Sequence, residues 1–535
     1  MAEPVKVPAA APVTGSRAPG GRDGAAARPR SGRRGAVRDR AWPGAVATAY
    51  GLAQLALVVP GTGLGWDETV YTSQVSGSVP AAVFSAPRAR GISLLAAPVA
   101  SWSDSTPLLR VWMAVLSSLG LYLALRAWRT LLPAPVLALA GALFATLWIS
   151  LFYGPQVMPN LYSAYGAMAA VGCFLRAARD PADRWAPVGL CVGVAVTGLM
   201  RPPDAAWLLA PLAVAALLTP GARRPAVWAA LAGGAVLGCG EWVVEAYTAY
   251  GGLPERLRRA SAVQGGTGLN LAVDDQVRAL DGRALCRPCT VPWRHPVTAV
   301  WFFALPVATA AGVAAGVRAG RRAAVWLPTA VAASMAVPYL FLLGYAAPRF
   351  LLPTYLLLAV PVACCGHPLL ARARRPAADR RRRIVNALPA ALAVVALCAH
   401  LAVQGAVARG AVDGNRAMRR AYDTVAARLH AAGVRPPCVL SGDHAVPMAY
   451  YARCASRQIG GPDAATTPAG LRADARTRPV ALLVRYGRVP AYAAGWRRLT
   501  LPDLPALHGY SAYLAPGPAG AAGNGPDDGP AGAAP

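Results

Sequence analysis

Trp66-Asp67-Glu68 places two adjacent carboxylates a few residues beyond the first apolar run, Ala41 to Pro60. Acidic residues are scarce, 24 Asp and Glu among 535 residues, and the surrounding sequence is strongly apolar. Charge at a membrane boundary is costly unless it faces water or a partner, so such a pair is a functional candidate by default. The chemistry it offers is proton transfer, a carboxylate taking the proton of an attacking hydroxyl. Two arginines fall at the same predicted level: Arg201, in Arg201-Pro-Pro-Asp204 between the fifth and sixth apolar runs, and Arg349, in Pro348-Arg349-Phe-Leu-Leu-Pro353 at the start of the tenth. A guanidinium is a permanently charged fork of donors that suits phosphate. Gln156 and Asn160 in a short loop, Asp204, and Glu241 and Glu245 one turn apart near the end of the seventh run are further candidates for lining the same cavity. The set has the parts to hold a phosphate and deprotonate a hydroxyl.

Each residue also has a plainer reading. Arg201 and Arg349 serve equally as snorkelling anchors at the membrane interface. Asp67 fits a solvated loop acid or a helix N-cap, and Glu68 suits an orienting or capping role better than that of the base. Glu241 and Glu245 suit a simple interfacial role. His295, His444 and His508 stand alone and read as structural or surface residues. Gln264-Gly-Gly-Thr-Gly268 lacks the Lys-Ser/Thr of a phosphate loop and reads as a plain loop.

The elements that must position these residues are membrane helices. Hydrophobic residues make up 55% of the chain and mean hydropathy is +0.38. Eleven apolar runs of helix-spanning length recur, near 42–60, 107–125, 133–152, 160–175, 186–200, 205–219, 226–246, 296–317, 323–343, 350–370 and 385–407. The first lies behind a 40-residue tail without a small-residue cleavage site, so it reads as a span, not a signal peptide. The fold class is therefore an all-α polytopic membrane protein of about eleven transmembrane helices. About half of the 53 basic residues lie in the N-terminal tail and five short loops, among them Arg126/Arg129, Arg223/Arg224 and the run Arg372 to Arg383. By the positive-inside rule these loops and the N-terminus are cytoplasmic, in a plasma-membrane protein whose C-terminus lies outside. The net charge of +29 is thus an orientation signal that also touches anionic lipid; the Arg380–Arg383 run sits between two spans without aromatic interleaving, and no nucleic-acid partner is expected.

Four organisational units follow: a disordered basic cytoplasmic tail, 1–40; the polytopic domain, 41–408, with external loops near 61–106 and 247–295; an extracytoplasmic α/β domain, 409–515; and a disordered tail, 516–535. In the α/β domain the sequence predicts helices over Arg416–Ala432 and Val446–Arg453, with strands near Cys438–Ser441 and Val480–Arg485. Cys173, Cys191, Cys239, Cys364, Cys365 and Cys398 lie in spans and read as small apolar residues. Cys286, Cys289, Cys438 and Cys454 fall in segments placed outside, where disulfides persist. Cys286-Arg-Pro-Cys289 has no second CxxC or His pair beside it, so a structural disulfide, local or to another loop, is favoured over a metal site.

Trp66-Asp67-Glu68-Thr-Val-Tyr71 resembles the Asp-Glu signature in the first external loop of GT-C glycosyltransferases, the branch holding protein O-mannosyltransferases and aminoarabinose transferases above all. Ala347-Pro-Arg349-Phe-Leu-Leu-Pro353 is similar to that branch's Arg-Tyr/Phe-Leu-Leu-Pro segment, and Leu199-Met-Arg201-Pro202 to its Arg-Pro before a span. The layout matches over roughly 42–370. Two departures stand out: Gln156-Val-Met-Pro-Asn160 carries no acid where relatives often place one, and the 247–295 loop matches no family motif. The resemblance implies an integral-membrane enzyme that moves a sugar from a polyprenyl-phosphate donor to a hydroxyl acceptor, with inversion. It implies Asp67 as general base, Glu68 in support, and Arg201 and Arg349 on the donor phosphate. The motifs leave the acceptor open among glycan, lipid and protein hydroxyls. A divalent metal occurs in the superfamily, but the carboxylates here are too few to call for one, and no cofactor is expected.

Two other classes compete. A multi-pass transporter or flippase of a lipid-linked or envelope substrate would carry internal repeats and charge near mid-membrane, whereas here charge gathers at one interface. A sensor or assembly protein displaying residues 409–515 leaves the first-loop acids unexplained. The predicted orientation is checked by fusing a reporter active only outside the cell: it works after residue 410 and fails at Arg380, and the reverse pattern overturns the orientation.

Overall fold

The computed structural model describes residues 33–287, 289–373, 379–461 and 464–517. The predicted tails lie largely outside the described residues, as do 374–378 of the basic run; the backbone of the first helix, α1, begins at Arg33. Each of the eleven apolar runs is helical. Six helices are long and apolar enough to cross a membrane by length and composition, the first of them over Ala41–Val58 and the others Thr106–Arg126, Pro225–Ala249, Pro296–Arg318, Arg322–Leu342 and within Arg380–Ala431. The remaining runs form shorter or less apolar helices.

In chain order the helices are α1 (Arg33–Ala53), α2 (Trp66–Ser73), α3 (Gly91–Ala100), α4 (Thr106–Arg126), α5 (Ala134–Ala145), α6 (Trp148–Tyr153), α7 (Pro159–Arg179), α8 (Trp185–Met200), α9 (Pro202–Leu218) and α10 (Pro225–Ala249). They continue with α11 (Leu253–Val263), α12 (Val273–Ala279), α13 (Val300–Arg318), α14 (Arg322–Val337), α15 (Leu352–Cys364), α16 (Gly366–Ala373), α17 (Arg380–Ala431), α18 (Ala445–Ala452) and α19 (Pro468–Ala475). Boundaries follow local chemistry. The Ser105 hydroxyl caps α4 by accepting from Leu108 N at 3.3 Å, and Pro107 suits the first turn. Arg201 takes extended backbone between α8 and α9, and the two prolines after it start α9. That break is what frees Arg201 from a helix face.

The third run is not one helix. It breaks at Thr146–Leu147 into α5 and α6, and the freed Trp148 N–H is satisfied by the Gln404 side-chain carbonyl of α17 at 2.8 Å. A buried amide left without a partner would be costly in the bundle, so a distant glutamine stabilises a break that local sequence does not announce. Within the bundle, α7 and α8 touch backbone to backbone: a Cβ on Gly193 would lie 2.7 Å from Ala170 N. Small residues permit such close crossings. The 247–295 segment is stitched to the chain before Arg349, with Gly268 N donating to Leu342 O at 3.1 Å and Cys286 N to Ala346 O at 2.8 Å.

Helix α17 runs for 52 residues without interruption, so the last apolar run and the helix predicted over Arg416–Ala432 are one element. Beyond it lies a five-stranded sheet of β1 (Val439–Gly442), β2 (Ala455–Ser456), β3 (Val480–Arg485), β4 (Arg497–Thr500) and β5 (Tyr510–Leu514), in the order β2-β1-β3-β5-β4. β1 pairs in parallel with β2 and β3, while β5 pairs antiparallel with β3 and β4. β1, β3 and α18 fall where the sequence predicts them; β2, β4 and β5 are short or half exposed and gave no clear signal.

The four cysteines predicted to lie outside pair as Cys286–Cys289 and Cys438–Cys454, and the six in the apolar runs are free thiols. In intact cells the first four should resist a membrane-impermeant alkylating reagent until reductant is added. Labelling of all four without reductant contradicts the pairing.

Candidate active site

Asp67 and Glu68 open α2, and the two neighbours have opposite surroundings. Glu68 is buried, with a side chain 3% exposed. Its carboxylate receives both terminal nitrogens of Arg110, at 2.5 and 2.9 Å, together with Val157 N at 2.8 Å and Gly65 N at 2.9 Å. The last contact is the reaching-back half of a capping box, from the third residue of the helix to the residue before it. Arg110, also buried, donates further to Pro155 O at 2.9 Å and to Gly63 O. Glu68 thus has no acceptor capacity left for a proton from substrate, and its contacts are those of the orienting and capping role that the sequence favours. It is a structural node.

Asp67 keeps 34% of its side chain accessible. One oxygen accepts from Arg88 Nη2 at 3.0 Å, the other from Arg349 Nη2 at 2.9 Å. Burial pushes its carboxyl up, but Arg88, then Arg349 and Arg201, outweigh burial and hold it below the usual carboxylate range. Arg88 is steadied by Ser85 Oγ at 3.0 Å and lies over the Tyr71 ring. Arg349 is tied to Ala284 O at 2.8 Å, so the 247–295 segment helps aim it.

Arg201 is held from one side only. Its Nε faces Tyr339 Oη at 3.2 Å and Asp204 Oδ2 at 3.3 Å, and its guanidinium lies over the Tyr339 and Phe350 rings. Its two terminal nitrogens have no hydrogen-bond partner among the described residues, a free fork for an anion. Asp204 is buried, accepts from Ser163 Oγ at 2.8 Å and from Tyr339 Oη, and so orients Arg201 instead of lining a cavity. Tyr345, whose ring meets Phe350 edge-on, lies within electrostatic reach of Arg201, Arg349 and Asp67. Burial pushes its phenol up against the pull of these arginines, so the hydroxyl stays a hydrogen-bond donor.

The remaining candidates make no hydrogen bond or ion pair with Asp67, Arg88, Arg201 or Arg349. Gln156 and Asn160 are buried, and both side-chain polar atoms of Asn160 lack a partner among the described residues. Glu241 and Glu245 form a separate latch. Arg90 meets Glu241 at 3.3 Å and Glu245 at 2.5 Å, and Glu245 pairs with the buried Arg256 at 2.8 Å. Arg256 also donates to Ala86 O and Arg88 O, which fixes the backbone that carries Arg88.

Sequence reasoning missed Arg88, Arg110, Tyr339 and Tyr345. Arg110 had a usable signal, a charge inside an otherwise apolar run. The others fall in loops or ordinary apolar segments. The carboxylates do not fit a divalent cation: both oxygens of Asp67 face guanidinium groups and Glu68 is saturated. Among the described residues no three His, Cys, Asp or Glu side chains gather.

The fold is similar to that of ArnT from Cupriavidus metallidurans, solved bound to undecaprenyl phosphate, with 13% identity over 90% of this chain and 98% of that one and a TM-score of 0.60. The apo form of that protein gives a TM-score of 0.59. The oligosaccharyltransferase of Archaeoglobus fulgidus in its apo form is more distant, at 12% identity over 83% of this chain and 69% of that one, with a TM-score of 0.50. At 12–13% identity these likenesses show a shared fold. No family model and no curated protein matches the sequence significantly.

Replacing Arg110 by Leu leaves Glu68 buried and unpaired, and should cost about 3–5 kcal/mol of stability. Thermal unfolding in detergent reads the loss, and Glu68→Gln added to Arg110→Leu should recover part of it. An unchanged midpoint in the single variant would show that the pair carries no weight.

Proposed function

We propose that this protein is a membrane glycosyltransferase that moves a sugar from a polyprenyl-phosphate donor to a hydroxyl acceptor at the outer face of the membrane, with inversion at the anomeric carbon. The observation that carries the reading is the accessible, ionised Asp67 set between Arg88 and Arg349, with the half-free guanidinium of Arg201 beside them. The undecaprenyl phosphate in the ArnT structure supports a lipid phosphate as donor. The basic loops support an external site. An apolar groove of about 940 Å³ between α3, α4, α7 and α8 reaches Leu199 and Met200, the residues just before Arg201, and offers a bed for an isoprenoid chain.

In this reading the acceptor hydroxyl gives its proton to an Asp67 oxygen while its own oxygen bonds to the anomeric carbon. The bond from that carbon to the phosphate oxygen breaks, and its electron pair leaves with polyprenyl phosphate. Arg201 and Arg349 offset the charge that builds on the departing phosphate, and Tyr345 can donate a hydrogen bond there. An interaction that strengthens in the transition state accelerates the step. Donor binding also draws Arg349 partly away from Asp67, which raises the basicity of Asp67 as the acceptor arrives. General-base help of this kind is worth about 10²–10⁴-fold.

The test is transfer from radiolabelled polyprenyl-phosphate sugars by purified protein. Asp67→Asn keeps the volume but removes the base, and turnover should fall about 10²-fold or more with donor affinity little changed. Near-normal transfer by Asp67→Asn removes the core of the reading. The pH profile adds a sign. Asp67 accepts a proton only as the carboxylate, and its pKa is lowered, so rate persists through the ordinary carboxylate range and is lost only as pH falls through the lowered value. Arg88→Gln removes the leading cation and should move that acid limb to higher pH.

A further inference from the structure

The segment Pro60–Gly65 that delivers Asp67 has little stiffness of its own. It contains Gly61, Gly63 and Gly65, and Gly61 takes a left-handed φ of 74°. Its position must come from outside, and the contacts come from the C-terminal part of the chain. Arg416 Nε donates to Pro60 O at 2.7 Å and Arg419 Nη1 to Thr62 O at 3.2 Å. Gly63 N donates to Asn415 Oδ1 at 2.8 Å, and Leu64 N to Tyr451 Oη at 2.6 Å. The approach is so close that a Cβ on Gly63 would lie 2.5 Å from Tyr451 Oη and 2.6 Å from Arg419 Cβ. Trp66, one residue before Asp67, meets the His444 ring edge-on at 5.5 Å, and a 2.8 Å hydrogen bond joins His444 to Tyr510.

We infer that the C-terminal α/β domain is a positioning element for the reaction: Asn415 and Tyr451 clamp the backbone before α2 and so fix where the Asp67 carboxylate stands. These are positioning residues, since neither touches the arginines that hold Asp67. From below, Arg110 grips Gly63 O, so the segment is held between the bundle and the domain. Arg201 and Arg349 are anchored by other elements, so releasing the clamp moves the base relative to the phosphate site and leaves that site in place. The inference rests on the glycosyltransferase reading for its consequence, but not for the clamp itself.

The experiment uses full-length protein in detergent and three variants, Tyr451→Phe, Asn415→Ala and Asn415→Asp, with two readouts. Hydrogen exchange follows residues 61–68, and steady-state transfer separates kcat from donor KM. Tyr451→Phe and Asn415→Ala should speed exchange in 61–68 about tenfold or more while the sheet of the domain stays protected. They should lower kcat about tenfold with donor KM unchanged, since small misplacements of a reacting group are costly. Asn415→Asp keeps the acceptor for Gly63 N and should restore both. Unchanged exchange in Tyr451→Phe and Asn415→Ala overturns the clamp, and faster exchange with undiminished kcat overturns the positioning role. If wild-type protein transfers from no polyprenyl-phosphate donor, the functional reading fails, and the positioning role falls with it; the exchange result still decides whether the domain holds the segment.

Discussion

The site depends on a buried ion pair. Glu68 and Arg110 lie at the top of the bundle with almost no exposure, and each joins backbone from two loops, Gly63–Gly65 on one side and Pro155–Val157 on the other. Two charges out of water are tolerable only when all their hydrogen-bonding capacity is used, and here nearly all of it is. An interaction of that kind is intolerant of movement. It fixes the first turn of α2 and thereby the direction in which Asp67 points.

Adjacent residues on a helix project about 100° apart, so one Asp-Glu dipeptide can serve two environments. Glu68 turns into the bundle and is consumed by structure. Asp67 turns toward Arg88, Arg349 and Arg201 and keeps an accessible edge. Cation crowding holds Asp67 ionised despite partial burial, which suits a group that must accept a proton. The same crowding makes it a weaker base, and an anion arriving on Arg349 and Arg201 relieves part of that restraint. In the proposed mechanism the basicity of Asp67 is thereby coupled to occupancy of the phosphate site, a form of control that needs no moving lid.

The arginines differ in how they are held, and the difference matches what each can do. Arg110 and Arg256 are buried and brace loops, Arg110 through both terminal nitrogens and Arg256 through all three guanidinium nitrogens. Arg88 and Arg349 share Asp67 between them. Arg201 alone among the site arginines is gripped through Nε and leaves its terminal nitrogens open, with Asp204 and Tyr339 behind it. Bracing and binding are thus carried by one residue type at different depths. The long α17 adds a second brace by linking the bundle, through Gln404, to the domain that grips Pro60–Gly65.

The sequence by itself determined the membrane class, the helical runs, the Asp-Glu pair, the two arginines that the structure brings toward it, and the split between free and paired cysteines. Each is written in local terms: hydropathy at helical length, charge against an apolar background, or residue type per compartment. It favoured an orienting or capping role for Glu68 but did not name the partner that holds it, Arg110, 42 residues further on. It gave no sign of the break at Thr146–Leu147, whose freed amide is satisfied by a residue 256 positions away. Arg88 and Tyr345 carried no local mark of a role at the site, and Glu241 and Glu245, open to a cavity or an interfacial reading, meet Arg90 and Arg256. Partner choice among buried charges is a property of packing in three dimensions. Hydropathy and spacing placed the charged groups at one level, and only tertiary contacts decided which of them neutralise one another and which remain open.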